Sequence, residues 1–145
     1  MSSVANDAIT AHGDGELNDL KAPASERAAL KSHAEKLASV KLGARETADL
    51  EMLASGAFTP LTGFMGEADY KSSRDTMRLA SGAPWSIPIT LGVDEATARS
   101  LKPGIDIALT HENGARIAVM KVAEIYKVDR EAERCSPSTG QFGSI

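Results

Sequence analysis

Ile105-Asp106-Ile107-Ala108-Leu109-Thr110-His111-Glu112-Asn113-Gly114-Ala115-Arg116-Ile117-Ala118-Val119-Met120-Lys121-Val122 reads as an antiparallel β-hairpin. Its centre, Asn113-Gly114, is the strongest short hairpin signal, because a two-residue type I′ turn needs positive φ at both central positions. With that loop, residue 112 faces 115. Ile105 then faces Val122, Ile107 faces Met120 and Leu109 faces Ala118. These six share one face and form an apolar surface. On the opposite face Asp106 meets Lys121, a complementary cross-strand pair.

Upstream, Ile87, Ile89, Leu91 and Val93 alternate with other residues, which predicts a strand. Pro88 removes a ladder donor and confines that strand to an edge or a bulge. Asp94 is placed to cap a short helix running to Leu101, which Pro103-Gly104 ends. A further short strand is expected over 123–128. Towards the N-terminus the period changes from 2 to 3.6. Leu30, Ala34 and Leu37 predict a helix over about 26–39 with Ser25 as N-cap. Leu50, Leu53, Ala54 and Ala57 predict a second helix stopped by Gly56. A third is expected from Glu67 to about Leu79, with Tyr70 and Met77 on one face. Between these two helices, residues 58–66 hold Pro60, Gly63 and Gly66 and read as an ordered loop packed by Phe58, Leu61 and Phe64. Residues 1–24 are small and polar, broken by Gly13, Gly15 and Pro23, and read as an extended arm. The pattern as a whole is that of an α+β domain.

Composition bounds the function. The chain has 145 residues, the size of one domain. It carries 16 Lys plus Arg against 20 Asp plus Glu, a net charge of −4, which argues against general nucleic-acid binding. Leu, Ile, Val and Phe number 29, enough for a folded but thin core. No apolar run approaches the ~18–20 residues of a membrane span, and the N-terminus shows no signal-peptide pattern. The single cysteine, Cys135, suits a reducing cytoplasm.

The search for chemistry returns little. No phosphate-cradling glycine loop occurs. His12, His33 and His111 are far apart and lack metal-ligand spacing, so they read as ordinary polar histidines. His12 stands out because Gly13 lets its backbone approach another surface. Cys135 has no local base. Asp49 and Glu51 point to different faces of a helix and do not form an acid pair. Arg74 and Arg78, spaced i,i+4, could bind an anion; the favoured reading is that Arg78 caps the helix end or pairs with Asp75 or Glu67. Trp85 is a core or interface anchor. No catalytic, cofactor-binding or metal-ligating residue is assigned.

One stretch is distinctive beyond these patterns: Asp49-Leu50-Glu51, Gly56-Ala57-Phe58-Thr59-Pro60-Leu61-Thr62-Gly63-Phe64-Met65, Asp69-Tyr70, Met77-Arg78-Leu79 and Trp85-Ser86-Ile87-Pro88-Ile89-Thr90-Leu91. In this order, with the opening His12-Gly13-Asp14-Gly15-Glu16-Leu17, it closely resembles the N-terminal domain of ATP sulfurylase (sulfate adenylyltransferase) over about residues 11–134. The resemblance implies a PUA-like mixed β pseudo-barrel with flanking helices. It also implies the family reaction, in which ATP and sulfate give adenylyl sulfate and pyrophosphate with Mg²⁺ accompanying the ATP. The family's Gln-x-Arg-Asn, His-x-x-His and Gly-Arg-Asp stretches belong to a following catalytic domain and do not occur in this sequence. The resemblance therefore implies structural roles only: Pro60, Gly63 and Phe64 in the packed loop, and Trp85 before the strand. Ser73 departs from the family's apolar residue and is expected to weaken its helix's buried face.

Three segments are expected: an arm over 1–24, the PUA-like domain over 25–134, and a disordered tail unlike the family over 135–145, with the barrel incomplete at its C-terminus. The tail reads as the product of a frameshift or similar truncating event. The partner implied is the ATP sulfurylase catalytic domain, with no nucleic acid and no membrane. The full-length family enzyme is expected to be a cytoplasmic homo-oligomer.

Overall fold

The computed structural model describes residues 11–13 and 15–128. Its elements, in chain order, are α1 (Arg27–Ala34), β1 (Ser39–Lys41), α2 (Ala44–Ala54), α3 (Glu67–Thr76), α4 (Glu95–Ser100), β2 (Asp106–Thr110) and β3 (Arg116–Lys121). The three strands form one mixed sheet in the order β1-β2-β3. This is a small α+β architecture, as the alternation of helical and strand periods predicts. Cys135 and the expected tail lie outside the described residues.

The hairpin register holds where the core needs it. Asp106 pairs with Lys121, Ile107 with Met120 and Leu109 with Ala118. The turn differs from expectation. Gly114 alone has positive φ, at 84°, and its N–H bonds to the His111 carbonyl at 2.9 Å. His111 in turn donates to the Ala115 carbonyl at 2.8 Å, so residues 112–114 make a three-residue loop rather than a type I′ pair. That loop would shift every later pair by one residue. A bulge corrects it: Thr110 faces Arg116 while Leu109 faces Ala118, leaving Ile117 as the extra residue. Ile117 is accordingly exposed, at 45%. The apolar face won because a one-residue slip would have turned Ile107 and Leu109 out of the core.

β1 was not foreseen. The helix expected to reach residue 39 stops at Ala34, and the chain enters a strand that pairs parallel with β2, Val40 beside Leu109. Val40 and Leu42 alternate with exposed Lys41, a period of two too short to outweigh Leu37. Ser25 is not the N-cap of α1. The chain turns at Pro23–Glu26, where the Glu26 N–H bonds to the Pro23 carbonyl, and the helix opens one residue later from Glu26.

α2 ends as its sequence requires. Gly56 has φ +80°, its N–H bonds to the Leu53 carbonyl, and the Ala57 N–H bonds to the Met52 carbonyl. This is a Schellman closure with glycine at the left-handed position. α3 is shorter than expected. Met77 adopts the left-handed conformation at φ 55° and closes the helix, so it is exposed and does not share the buried face of Tyr70. A tight turn follows, with Gly82 donating to the Leu79 carbonyl and Leu79 to the Ala83 carbonyl. Ser73 is fully buried, and its Oγ donates to the Trp85 carbonyl at 3.1 Å. The hydroxyl is satisfied, so this polar residue joins α3 to the Trp85 segment instead of weakening the helix. α4 forms as expected, the Asp94 side chain accepting from the Thr97 N–H at 2.6 Å.

Two expected strands are extended segments outside the sheet. At 87–93, Ile89 is buried and its carbonyl accepts from the Met65 N–H at 2.7 Å, whereas Ile87 is 65% exposed. The single backbone bond leaves no ladder for the alternating pattern to join. At 123–128 the anchors are side chains: the Tyr126 hydroxyl donates to the Met65 carbonyl at 2.8 Å, and Glu124 accepts from the Glu67 N–H at 2.7 Å.

Two apolar clusters hold the domain. One surrounds the sheet: Val40, Leu42, Leu101, Ile107, Leu109 and Val122. The other joins α2, the 58–66 loop and the Ile89 segment through Leu53, Leu61, Met65, Leu79 and Ile89. Phe64 packs on both. Residues 11–24 are docked on this second unit. Asn18 donates its N–H to Thr59 Oγ1 and its amide to the Pro60 carbonyl, both at 3.0 Å, and the Leu20 N–H bonds to the Ala54 carbonyl at 3.1 Å.

Candidate functional site

The titratable residues singled out in the sequence do not converge. His12 Nε2 lies 2.8 Å from the Pro84 carbonyl and its ring 6.1 Å from Trp85. His33 pairs with Asp106 at 3.5 Å, and His111 sits at the hairpin turn. Among the described residues no group of three or more His, Cys, Asp or Glu is arranged to hold a metal ion. Asp49 lies near Arg45, 3.7 Å from its Nε, and Oδ2 is buried without a hydrogen-bond partner. Burial raises its pKa above the ordinary carboxylate value, opposed by the Arg45 charge. Glu51 is exposed.

The two arginines of α3 and its C-terminal turn have separate tasks. Arg74 forms a two-pronged pair with Asp75, at 2.5 and 2.8 Å, and its guanidinium lies 5.6 Å from the Tyr70 ring centre. Arg78 donates to the Gly82 carbonyl at 2.9 Å, and Glu67 pairs with Lys71. Arg78 thus braces the turn after α3 and pairs with neither Asp75 nor Glu67. Trp85 is an internal anchor: it meets Phe58 edge-on at 5.7 Å and donates Nε1–H to the Ile87 carbonyl. The Thr59–Pro60 peptide is cis. Gly63 has no positive φ, and a Cβ there would meet nothing within 4 Å, so nothing in the structure explains a glycine at this position.

The feature the sequence reading missed is a groove. A cavity of about 740 Å³ opens between α1, α2 and the hairpin. Leu30, Leu50, Leu53, Phe64, Ala118 and Met120 supply its apolar floor. Lys21, Arg27, Lys31 and Arg116 line it against a single acid, Glu35, although the chain as a whole is acidic. A second hollow of about 1110 Å³ continues along β3 beside the 60–66 loop, where Asp69 and Glu124 are found. The i,i+4 spacing of Arg27 and Lys31 was the one visible signal. Nothing local announced that Arg116 would face them. Among the described residues no helix is long and apolar enough to cross a membrane.

Comparison with known proteins agrees with this architecture. The sequence model of the PUA-like domain matches residues 9–138. The chain is 50% identical over 135 residues to a sulfate adenylyltransferase of Symbiobacterium thermophilum, covering 90% of this chain and 34% of that protein. It is 43% identical over 126 residues to a sulfate adenylyltransferase of Desulforamulus reducens, covering 86% of this chain and 32% of that protein. The chain thus spans about a third of the length of these relatives. Among solved structures it resembles a hexameric APS kinase from Thiobacillus denitrificans, with a TM-score of 0.73 and 36% identity over 85% of this chain and 24% of that one. With its three-stranded mixed sheet, its flanking helices and a family match over nearly its whole length, the chain belongs to the PUA-like domain family, in the form found in sulfate adenylyltransferases.

Proposed function

We propose that this chain is the N-terminal, non-catalytic domain of a sulfate adenylyltransferase. The family reaction joins sulfate to the AMP portion of ATP and releases pyrophosphate. The observation that carries this reading is the combination of 50% identity over 90% of the chain with coverage of only a third of the relative. The chain's own residues support a scaffolding part in that reaction. ATP with Mg²⁺ needs converging cations and carboxylates to neutralise a triphosphate. The groove cations stand over an apolar floor, and no acid cluster among the described residues could take the metal. These residues do not fit the nucleotide, and no chemical step is assigned to them.

Under this reading the domain packs against the remaining two thirds of a longer enzyme. That enzyme is proposed to be cytoplasmic and homo-oligomeric, and the hexameric state of the Thiobacillus relative supports such assembly. Calorimetric titration of the chain with ATP and Mg²⁺, then with a sulfate analogue, tests the scaffolding role. No heat of binding is expected, and saturable micromolar binding would overturn it.

A further inference from the structure

We infer that the outer edge of β3 and the groove beside it form a docking site for one extended segment of a separate polypeptide, apolar along its length and carrying carboxylates at one end. β3 is an edge strand, with β2 on one side and no described strand on the other. Its free side follows from the bonding of β2. The Ala108 N–H bonds to the Ala38 carbonyl and the Thr110 carbonyl to the Leu42 N–H, both towards β1. Ala108 therefore offers nothing to its partner Val119, and Val119 and Lys121 turn their backbone groups away from β2. The groove runs along that free edge rather than under one face, since all seven consecutive residues from Gly114 to Met120 line it. A trough beside an unpaired edge is the shape into which a strand adds, with backbone bonds for affinity and side-chain pockets for selection. Six residues of β3 call for a segment of about 20 Å.

Charge selects the occupant. Lys31 and Arg116 make no ion pair among the described residues, and they lie at the groove end, while Asp69 and Glu124 lie along the other hollow. Carboxylates on the incoming segment therefore belong at the Arg116 end. A second copy fits poorly: two β3 edges paired antiparallel about a two-fold place Arg116 against Lys121, a like-charge pair. The chain's own outlying segments fit poorly too. Residues 129–134 are Asp-Arg-Glu-Ala-Glu-Arg, and neither 1–10 nor 135–145 offers an alternating apolar run.

The test is amide hydrogen exchange of the full chain with the acetylated peptide Glu-Glu-Val-Thr-Val-Thr-Val, and with the same peptide carrying Lys-Lys in place of Glu-Glu. The free chain should sediment as a monomer, with Val119 and Lys121 amides exchanging fast. The glutamate peptide should slow both about tenfold or more, and the lysine peptide should not. The surface double variant Lys31→Glu, Arg116→Glu, which leaves the core untouched, should weaken the effect of the glutamate peptide several-fold. Equal action of the two peptides, no action of either, or undiminished protection in the double variant overturns the proposal. So does a dimer protected at Val119, which would make a second copy the occupant. Protection of Val119 in the free monomer would assign the edge to the chain's own termini and likewise overturn it.

Discussion

Gly56→Ala should cost this domain more than a left-handed glycine normally does, and the structure shows where the excess comes from. Gly56 closes α2 at φ +80°. Alanine in that region costs about 1–2 kcal/mol. A Cβ on Gly56 would also stand 2.7 Å from Leu17 Cγ and 3.0 Å from the Asn18 carbonyl oxygen. The second atom is backbone, so the docked N-terminal segment must move. Moving it threatens the two Asn18 bonds to Thr59 and Pro60 and the Leu20 bond to Ala54, each contributing about 0.5–1.5 kcal/mol. The expected loss is therefore about 2–5 kcal/mol. Gly114→Ala is the control, because Gly114 has φ +84° but a Cβ there meets nothing within 4 Å. It should lose only about 1–2 kcal/mol. Urea unfolding of both variants, with hydrogen exchange at the Leu20 amide, separates the two contributions. Equal losses with an unchanged Leu20 amide would refute the idea that the segment is docked through Gly56.

Asp49→Asn should raise stability near neutral pH by on the order of 1 kcal/mol, since a buried carboxylate with an unsatisfied oxygen loses its charge. Because the folded pKa of Asp49 lies above 3.8, its ionisation removes stability as pH rises through the interval from 3.8 to that higher value. Unfolding free energies measured across mildly acidic pH should show this slope in the parent and not in the variant. Asp94 acts in the opposite sense. The backbone hydrogen bond from Thr97 holds its pKa below 3.8, so its support of α4 is present above that value and fades as pH falls through the lowered one. Asp94→Ala should abolish that acid dependence in the same titration. Tyr126→Phe should cost about 1 kcal/mol by leaving the Met65 carbonyl without its donor, while burial pushes the Tyr126 phenol up to about 12 so that the parent bond survives to high pH. A denaturation midpoint unchanged by this substitution would mean that the 123–128 segment is not anchored there.

What could be read from the sequence was what is local. The Asp94 cap, the Gly56 helix stop and the pairing of Ile107 with Met120 each depend on residues close together in the chain. The turn at Gly114 was misread because an Asn-Gly pair also serves a three-residue loop, and only the distant bulge at Ile117 reveals which one is used. β1 was invisible because three residues are too few to show a period, and its partner β2 lies some 70 positions away. Met77 and Ser73 were misjudged for the same reason. The turn at 78–84 and the Trp85 carbonyl that satisfy them come from beyond the helix. The groove escaped notice because it is an arrangement of faces: α1 contributes Lys31, β3 contributes Arg116, and neither residue signals the other.

The central claim is that this chain is a domain of a sulfate adenylyltransferase rather than an independent module. It is tested most directly by grafting residues 9–138 in place of the matching third of the Symbiobacterium thermophilum enzyme and measuring sulfate-dependent pyrophosphate release from ATP. The account predicts a folded chimera that releases pyrophosphate within about tenfold of the parent rate, a change of about 1.4 kcal/mol in the barrier. A chimera that folds but releases none would contradict it, as would pyrophosphate release by the isolated chain alone.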